Sequence, residues 1–494
     1  MDDFDMVVVG AGFGGLAAAL EAARSGARVA VFEALKYPGG CASTFTKNGV
    51  QYETGATLFS GLGEGQLFDQ WRRELKMDVH FDLLDVPIEF RAPGLVLPVS
   101  SDRDTLIDTL CGLPGAPVPA LRAFFDEQRA VADALWPIFD DPARLPPLSW
   151  ASVGWHARRS WRYLPLLRVI GRPLSRVLRR HGLHGWSPLV SYLNALCQIT
   201  VQAGVDAAEA PFAMSTMDYC FRGTGHVRGG IGKLAWAMLA AIEQLGGAVH
   251  LSSRVRALRP DGAAWRVSSR KAEVRAPLVV SNLLPQATGA LLEAPVPRLV
   301  RLAAQVEDGW GAAMLYLTVR DEAAGSEAPH HLELVSDPGA AFIEGNHVFC
   351  SISGAAETER APPGLRTVTV STHVPISTLR QLDLGDRGRY ITQVQDRMRE
   401  TIRARAPELA DGIVSEMTAS PRTWERFTRR PQGLVGGIPR RAGLHNYQGL
   451  VPRPLEPGLF LVGDSVFPGQ STLAAALGGI RTTRAALAGR AVLL

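Results

Sequence analysis

The chain has 494 residues, 46% of them hydrophobic and 20% charged, with 50 Gly, 33 Pro and a formal net charge of +4. At ~100–200 residues per domain this length implies two or three structural units, and the apolar fraction excludes a disordered or collagen-like chain. Five widely separated cysteines (Cys41, Cys111, Cys197, Cys220, Cys350) without a C-x-x-C pair argue against a zinc ribbon, a disulfide framework or any metal site.

The opening Met1-Asp2-Asp3-Phe4-Asp5 is acidic where a secretory signal is basic, and no run of ~20 apolar residues follows anywhere. A cytoplasmic protein is expected, soluble or peripheral to a membrane. Met6-Val7-Val8-Val9-Gly10 reads as a buried strand, since its β-branched run does not alternate. Gly10-Ala11-Gly12-Phe13-Gly14-Gly15 follows at once, then an Ala-rich helix over Leu16 to Ser25 and a second strand over Arg28 to Glu33. This is G-x-G-x-x-G in its required setting, strand before and helix after. Its glycines admit a pyrophosphate to the helix N-terminus, where free N–H groups and the helix dipole favour negative charge. Glu33, with Ala34 beside it, ends the second strand where a carboxylate accepts both ribose hydroxyls of an adenosine and opposes a 2′-phosphate, hence NADP. A second Gly-rich loop, Lys36 to Phe45, contains Gly40 and Cys41, and Gly49, Glu53, Gly55, Ala56 and Thr57 come after it.

Between Pro142 and Val205 stand nine arginines and no Asp, Glu or Lys, a local +9 inside a chain of +4, so the remainder carries −5. Trp150, Trp155, Trp161, Tyr163, Trp186 and Tyr192 share the segment. Arg168, Arg172, Arg176 and Arg180 recur every four residues beside Leu167, Ile170, Leu174, Val177 and Leu178, which predicts a basic amphipathic helix, kinked or divided at Gly171 and Pro173. Arginine and tryptophan together without acids suit a helix lying in an anionic membrane interface. No RNA- or DNA-binding module surrounds the stripe, so nucleic acid is not an expected partner.

Further elements follow in order. Gly232 to Leu245 reads as a helix, Val249 to Leu258 and Val274 to Asn282 as strands. Ala312 to Val319, Val348 to Ile352 and Thr367 to Ser371 are β-like, and Tyr390 to Arg405 reads as a helix stopped by Pro407. The chain closes on a strand ending in Gly463-Asp464, a loop over Ser465 to Gln470, and a helix from Ser471 to Ala488.

The Gly10–Gly15 turn with Glu33, the Pro38-Gly39-Gly40 loop and the terminal Gly463-Asp464 resemble the amine oxidase-like flavoprotein superfamily. Within it the chain is most similar to the phytoene desaturase and carotenoid isomerase family. Gly229-Gly230-Ile231-Gly232, Val279-Val280-Ser281-Asn282, Pro421-Arg422-Thr423, Gly436-Gly437-Ile438-Pro439 and Gly463 to Gln470 carry the likeness nearly end to end. The resemblance implies an α/β fold with a Rossmann-like FAD-binding domain, discontinuous over 1–75, 222–300 and 440–494. A mixed α+β substrate domain would occupy 76–221 and 301–439, with 142–205 as its helical, membrane-facing segment. FAD would lie against Gly10, Gly12, Phe13, Gly14, Gly15, Glu33, Ala34, Gly40, Cys41, Ala56, Thr57, Val255, Gly463, Asp464, Ser471, Thr472 and Leu473. In that picture Val255 touches adenine, Asp464 bonds the ribityl chain, and Ser471–Leu473 open a helix toward the flavin pyrimidine. The chain departs from many relatives in having Cys41 for an arginine and Glu53 for an aspartate.

The implied activity is FAD-dependent redox chemistry on a carotenoid or related isoprenoid polyene. It is either desaturation by hydride transfer to flavin N5 or flavin-dependent cis-trans isomerisation, and the Gly463–Gln470 stretch resembles the isomerase branch. A saturase or amine oxidase on another apolar substrate, and a non-enzymatic prenyl-lipid escort, are the alternatives. No second G-x-G-x-x-G follows a predicted strand, so quinone or oxygen is the expected electron acceptor. No catalytic base is identified. His80, His226, His347, His373 and His445 are candidates by residue type alone, and Tyr219, Arg222 and His226 by their place before Gly229-Gly230.

Overall fold

In the computed structural model, which describes residues 2–55, 58–325 and 329–491, a parallel five-stranded sheet forms the centre of one half of the molecule. Its order is Ala248–His250, Val29–Phe32, Met6–Val9, Leu278–Ser281, Leu459–Leu461, every neighbour parallel. Met6 to Val9 are all buried because both faces are covered. Met6 and Val8 pack with the helices Phe13–Arg24, Ile231–Gln244 and Thr472–Ala491, whereas Val7 and Val9 pack on Val255, Leu258, Trp265 and Val267 of a small second sheet. Parallel strands place their carboxyl ends on one edge, and ligands of such sheets bind there.

Two expected strands are each divided. Ala248–His250 joins the central sheet, but the chain turns at Ser252 (φ +50°), and Val255–Asp261 belongs to the small sheet. Likewise Pro277, which has no N–H to give a ladder, separates Glu273–Ala276 in the small sheet from Leu278–Ser281 in the central one.

A seven-stranded sheet builds the other half, in the order Ile413–Ala419, Trp310–Arg320, Leu365–Pro375, His347–Ile352, His331–Val335, Ile88–Ala92, Leu95–Val99. Only the His331–Val335 and Ile88–Ala92 pair is parallel. The helix Leu384–Arg405 covers one face through Ile391, Val394, Met398 and Ile402, and Val118–Phe139, Ser187–Thr200 and Ala210–Thr216 form a helical layer beside it.

The basic segment does not form one arginine stripe. Arg168 ends a 3-10 stretch over Ser160–Arg168, Gly171 turns the chain at φ +74°, and Pro173 starts the helix Leu174–Arg180 that carries Arg176 and Arg180. Leu174, Val177 and Leu178 are buried while Leu167 is 70% exposed, so the predicted apolar face is also split. The local +9 is partly compensated from outside the segment, since Arg180 pairs with Glu127 and Arg179 with Asp206. Among the described residues no helix is long and apolar enough to cross a membrane.

Candidate active site

The turn after Met6–Val9 is closely packed. A Cβ on Gly15 would lie 2.0 Å from the Gly10 carbonyl oxygen, and one on Gly14 would lie 2.6 Å from Asn282 Oδ1 and 3.0 Å from the Gly463 nitrogen. Side chains at these positions would fill the cradle. The helix Phe13–Arg24 starts from Gly12 with no side-chain cap and no acid in its first turn, leaving its leading N–H groups for an anion. Gly39 bridges Gly12, which sets Gly40 against the same turn.

Glu33 is buried and already held: Oε2 accepts from the Ala11 N–H and Oε1 from the Leu35 N–H, both at 2.8 Å. Burial pushes its carboxyl up, and these backbone bonds pull it back toward the charged form. The Ser253 N–H donates to the Glu33 carbonyl at 2.7 Å, which brings the start of Val255–Asp261 beside it. Val255 is buried there, packed with Val7, Val9 and Phe32 of the central strands.

Gly463 and Asp464 follow Leu459–Leu461 and reach the turn through Asn282. Asp464 Oδ2 accepts from Arg430 Nη2 at 2.9 Å, and Cys41 lies against the same guanidinium. Burial raises the Cys41 thiol, so it is a neutral wall group. Ser471 sits at φ +106°, and its Oγ accepts from the Ala474 N–H at 3.0 Å at the start of the closing helix, where Thr472 and Leu473 are buried. The structure therefore gathers the Gly10–Gly15 turn, Glu33 with Ala34, Gly40, Cys41, Val255, Gly463–Asp464 and Ser471–Leu473 on one edge of the central sheet. Ala56 and Thr57 lie outside the described residues. Asn282 and Arg430 were not among the expected site residues. Asn282 could have been read from its place at a strand end, but nothing in the sequence around Arg430 points to Asp464.

Beside the closing helix lies an apolar cavity of ≈ 320 Å³. Its lining includes Leu473, Ala474 and Leu477 of that helix with Tyr219, and Leu148, His156, Leu166 and Ile170 of the basic segment. Trp136, Phe212 and Phe467 supply aromatic walls. Tyr219 OH donates to Ser471 Oγ at 3.2 Å, and burial pushes its phenol up.

None of the five histidines proposed by residue type lines this cavity. His226 Nε2 is bonded to Glu357 Oε2 at 2.8 Å and its ring stacks on His330. Burial opposes the Glu357 charge, yet His226 and Arg360 hold that carboxyl down at about 2. His347 and His373 belong to the large sheet, where burial lowers them to about 3 and about 4. Arg222 is engaged by Asp218 and Asp133. His156, which does line the cavity, has both ring nitrogens bonded, to Tyr163 OH and to the Arg144 carbonyl. Among the described residues no cluster of three or more His, Cys, Asp or Glu is placed to hold a metal ion.

A family model described as an NAD(P)-binding Rossmann-like domain matches residues 8–74. The chain is 26% identical to prolycopene isomerase 1 of an Oncidium hybrid cultivar, over 97% of this chain and 83% of that protein. It is 28% identical to the all-trans-retinol 13,14-reductase of Homo sapiens, over 57% of this chain and 47% of that one. Among solved structures, wild-type putrescine oxidase bound to putrescine superimposes with a TM-score of 0.63 at 16% identity, covering 98% of this chain and 99% of that one, a likeness of fold. The turn, the terminal Gly-Asp and the full-length likeness agree: along nearly its whole length the chain resembles the carotenoid isomerases of the phytoene desaturase and carotenoid isomerase family, on a fold shared with an amine oxidase.

Proposed function

We propose that the protein holds FAD along the Gly10–Gly15 turn and the closing helix, and isomerises a C=C bond of a long isoprenoid polyene lying in the apolar cavity. The observation that carries this reading is the cavity itself, which runs from the basic segment to Leu473 and Ala474 at the start of the closing helix. The cradle fits the cofactor: side chains on Gly14 or Gly15 would fill it, and an uncapped helix N-terminus faces it. The Phe13–Gly15 N–H groups would take the pyrophosphate, Glu33 the ribose, Asp464 the ribityl chain, and the closing helix the pyrimidine edge. FAD so bound would supply two-electron redox chemistry over the polyene.

The chain's own groups favour isomerisation. Net desaturation sheds a proton, and the cavity lining offers no carboxylate to take it, while its one histidine, His156, has both ring nitrogens engaged. Tyr219 keeps its proton, because burial raises the phenol. Trp136, Phe212 and Phe467 exclude water and hold a flat apolar ligand. The names of the full-length relatives support the same choice.

At the other end, Trp150, Trp161, Leu164 and Leu167 are 91%, 64%, 60% and 70% exposed. Arg158, Arg162 and Arg168 stand among them, and none of the three makes an ion pair with a described residue. Apolar tips between unpaired cations suit an anionic membrane surface, from which a water-insoluble polyene would enter. A quinone or oxygen would be needed only for net oxidation.

Flavin-loaded protein in liposomes, incubated separately with poly-cis-lycopene, phytoene and lycopene, tests the proposal by product mass and absorbance. Unchanged mass with shifted absorbance is expected. A mass lower or higher by two hydrogens would replace isomerisation by desaturation or saturation. Flavin-free protein that leaves every polyene unchanged would favour an escort.

A further inference from the structure

Cys41 leaves the Gly39–Gly40 loop without a cation, yet the space beside it is not uncharged. Arg430, which follows the left-handed Arg429 (φ +60°) at the end of the helix Pro421–Thr428, brings a guanidinium there from far along the chain. Its Nε donates to the Leu434 carbonyl at 2.7 Å and its Nη2 to Asp464 Oδ2 at 2.9 Å, with a further bond to the Gly436 carbonyl. The side chains of Arg430 and Asp464 are 16% and 24% exposed, so little water screens the pair. Asp464 is next to Gly463, whose nitrogen would lie 3.0 Å from a Cβ on Gly14. A dinucleotide in the cradle would bring two phosphate charges near that carboxylate, and like charges at low dielectric repel strongly.

We infer that Arg430 is a positioning residue of the cofactor cradle: it fixes the Asp464 carboxylate and cancels its charge, doing from a distant loop what an arginine at position 41 would do within the turn. This rests on the reading that FAD occupies the cradle, and it adds a specific electrostatic role. A residue that only braces the loop through the Leu434 and Gly436 carbonyls would behave differently under paired substitution.

Apo-protein is titrated with FAD by flavin fluorescence, and each apo variant is melted to establish that it folds. Arg430→Met should weaken FAD binding ~10-fold or more, because it leaves a half-buried carboxylate without its ion-pair partner, while Arg430→Lys, which keeps the charge, should stay within ~3-fold. Adding Asp464→Asn to Arg430→Met removes the uncompensated charge and should recover part of the loss, as should adding Cys41→Arg. Wild-type binding by folded Arg430→Met would overturn the inference. So would failure of both second substitutions to restore a folded, weakly binding Arg430→Met. If Arg430→Met does not fold, a Cys41→Arg/Arg430→Met protein that folds and binds FAD supports the inference, and one that does not overturns it. Wild-type protein that takes up no flavin would sink the FAD reading itself, which is a different result from wild type binding FAD while Arg430→Met binds it equally well.

Discussion

Tyr219 donates its phenolic hydrogen bond to Ser471 Oγ, joining residues 252 positions apart where the apolar cavity meets the closing helix. Ser471 in turn accepts from the Ala474 N–H, so the pair links the cavity wall to the first turn of that helix. Tyr219→Phe keeps the ring edge against Trp136, 5.7 Å away, and removes only the hydroxyl. Flavin content should be unchanged and the loss of stability by thermal melt should be about 0.5–1.5 kcal/mol. Polyene isomerisation should persist, since the phenol is not proposed to give up its proton. Loss of turnover with full flavin content would make Tyr219 a proton carrier.

Gly15→Ala is expected to remove the cofactor. Its Cβ would overlap the Gly10 carbonyl oxygen at 2.0 Å, a contact only backbone movement relieves. The purified variant should fold and lack flavin absorbance near ~450 nm.

Ile138→Trp should separate the cofactor from the substrate. Ile138 lines the cavity but is not among the cradle residues, so the larger ring narrows the channel while the turn stays intact. Flavin content should match wild type, and polyene binding, followed by absorbance in liposomes, should fall ~10-fold or more.

Trp150→Ser/Trp161→Ser/Leu167→Ser removes three exposed apolar side chains that pack little against the protein. Melting should shift by less than about 1 kcal/mol equivalent. Sedimentation with anionic liposomes should drop sharply, and the remaining binding should vanish at high salt because arginines alone sustain it.

Glu333 sets a pH dependence. It lies on the buried strand His331–Val335, neither of its carboxyl oxygens has a hydrogen-bond partner among the described residues, and burial pushes it up from 4.5 to about 8. The folded state thus binds a proton that the unfolded state releases above its ordinary value. The contribution is full below pH 4.5 and is lost as pH rises toward about 8, at up to about 1.4 kcal/mol per pH unit. Melting temperature should fall across that window, and Glu333→Gln should flatten the slope. Glu209, raised to about 7 by burial, adds a smaller effect of the same sign.

The parts of the molecule legible in the sequence are those written in local spacing. Gly10–Gly15, Glu33 and the closing helix each follow from a few adjacent residues, because turn chemistry and helix starts are short-range. The arginine stripe misled for the same reason: four-residue spacing reads as one helical face, but Gly171 and Pro173 override it and leave only Arg176 and Arg180 on a helix. The run from Val249 to Leu258 looked continuous by β-propensity, although Ser252 and Ser253 carry the chain from one sheet to another. Arg430 beside Asp464, Asn282 between Gly14 and Gly463, and Tyr219 at Ser471 are meetings that tertiary packing alone creates, so no window of sequence holds them.

The central sheet orders its strands so that the last of its five in chain order, Leu459–Leu461, is the one that carries Gly463 and Asp464 to the turn after the first. A chain cut ahead of that strand would therefore lack one wall of the proposed cradle, however intact its Gly10–Gly15 turn.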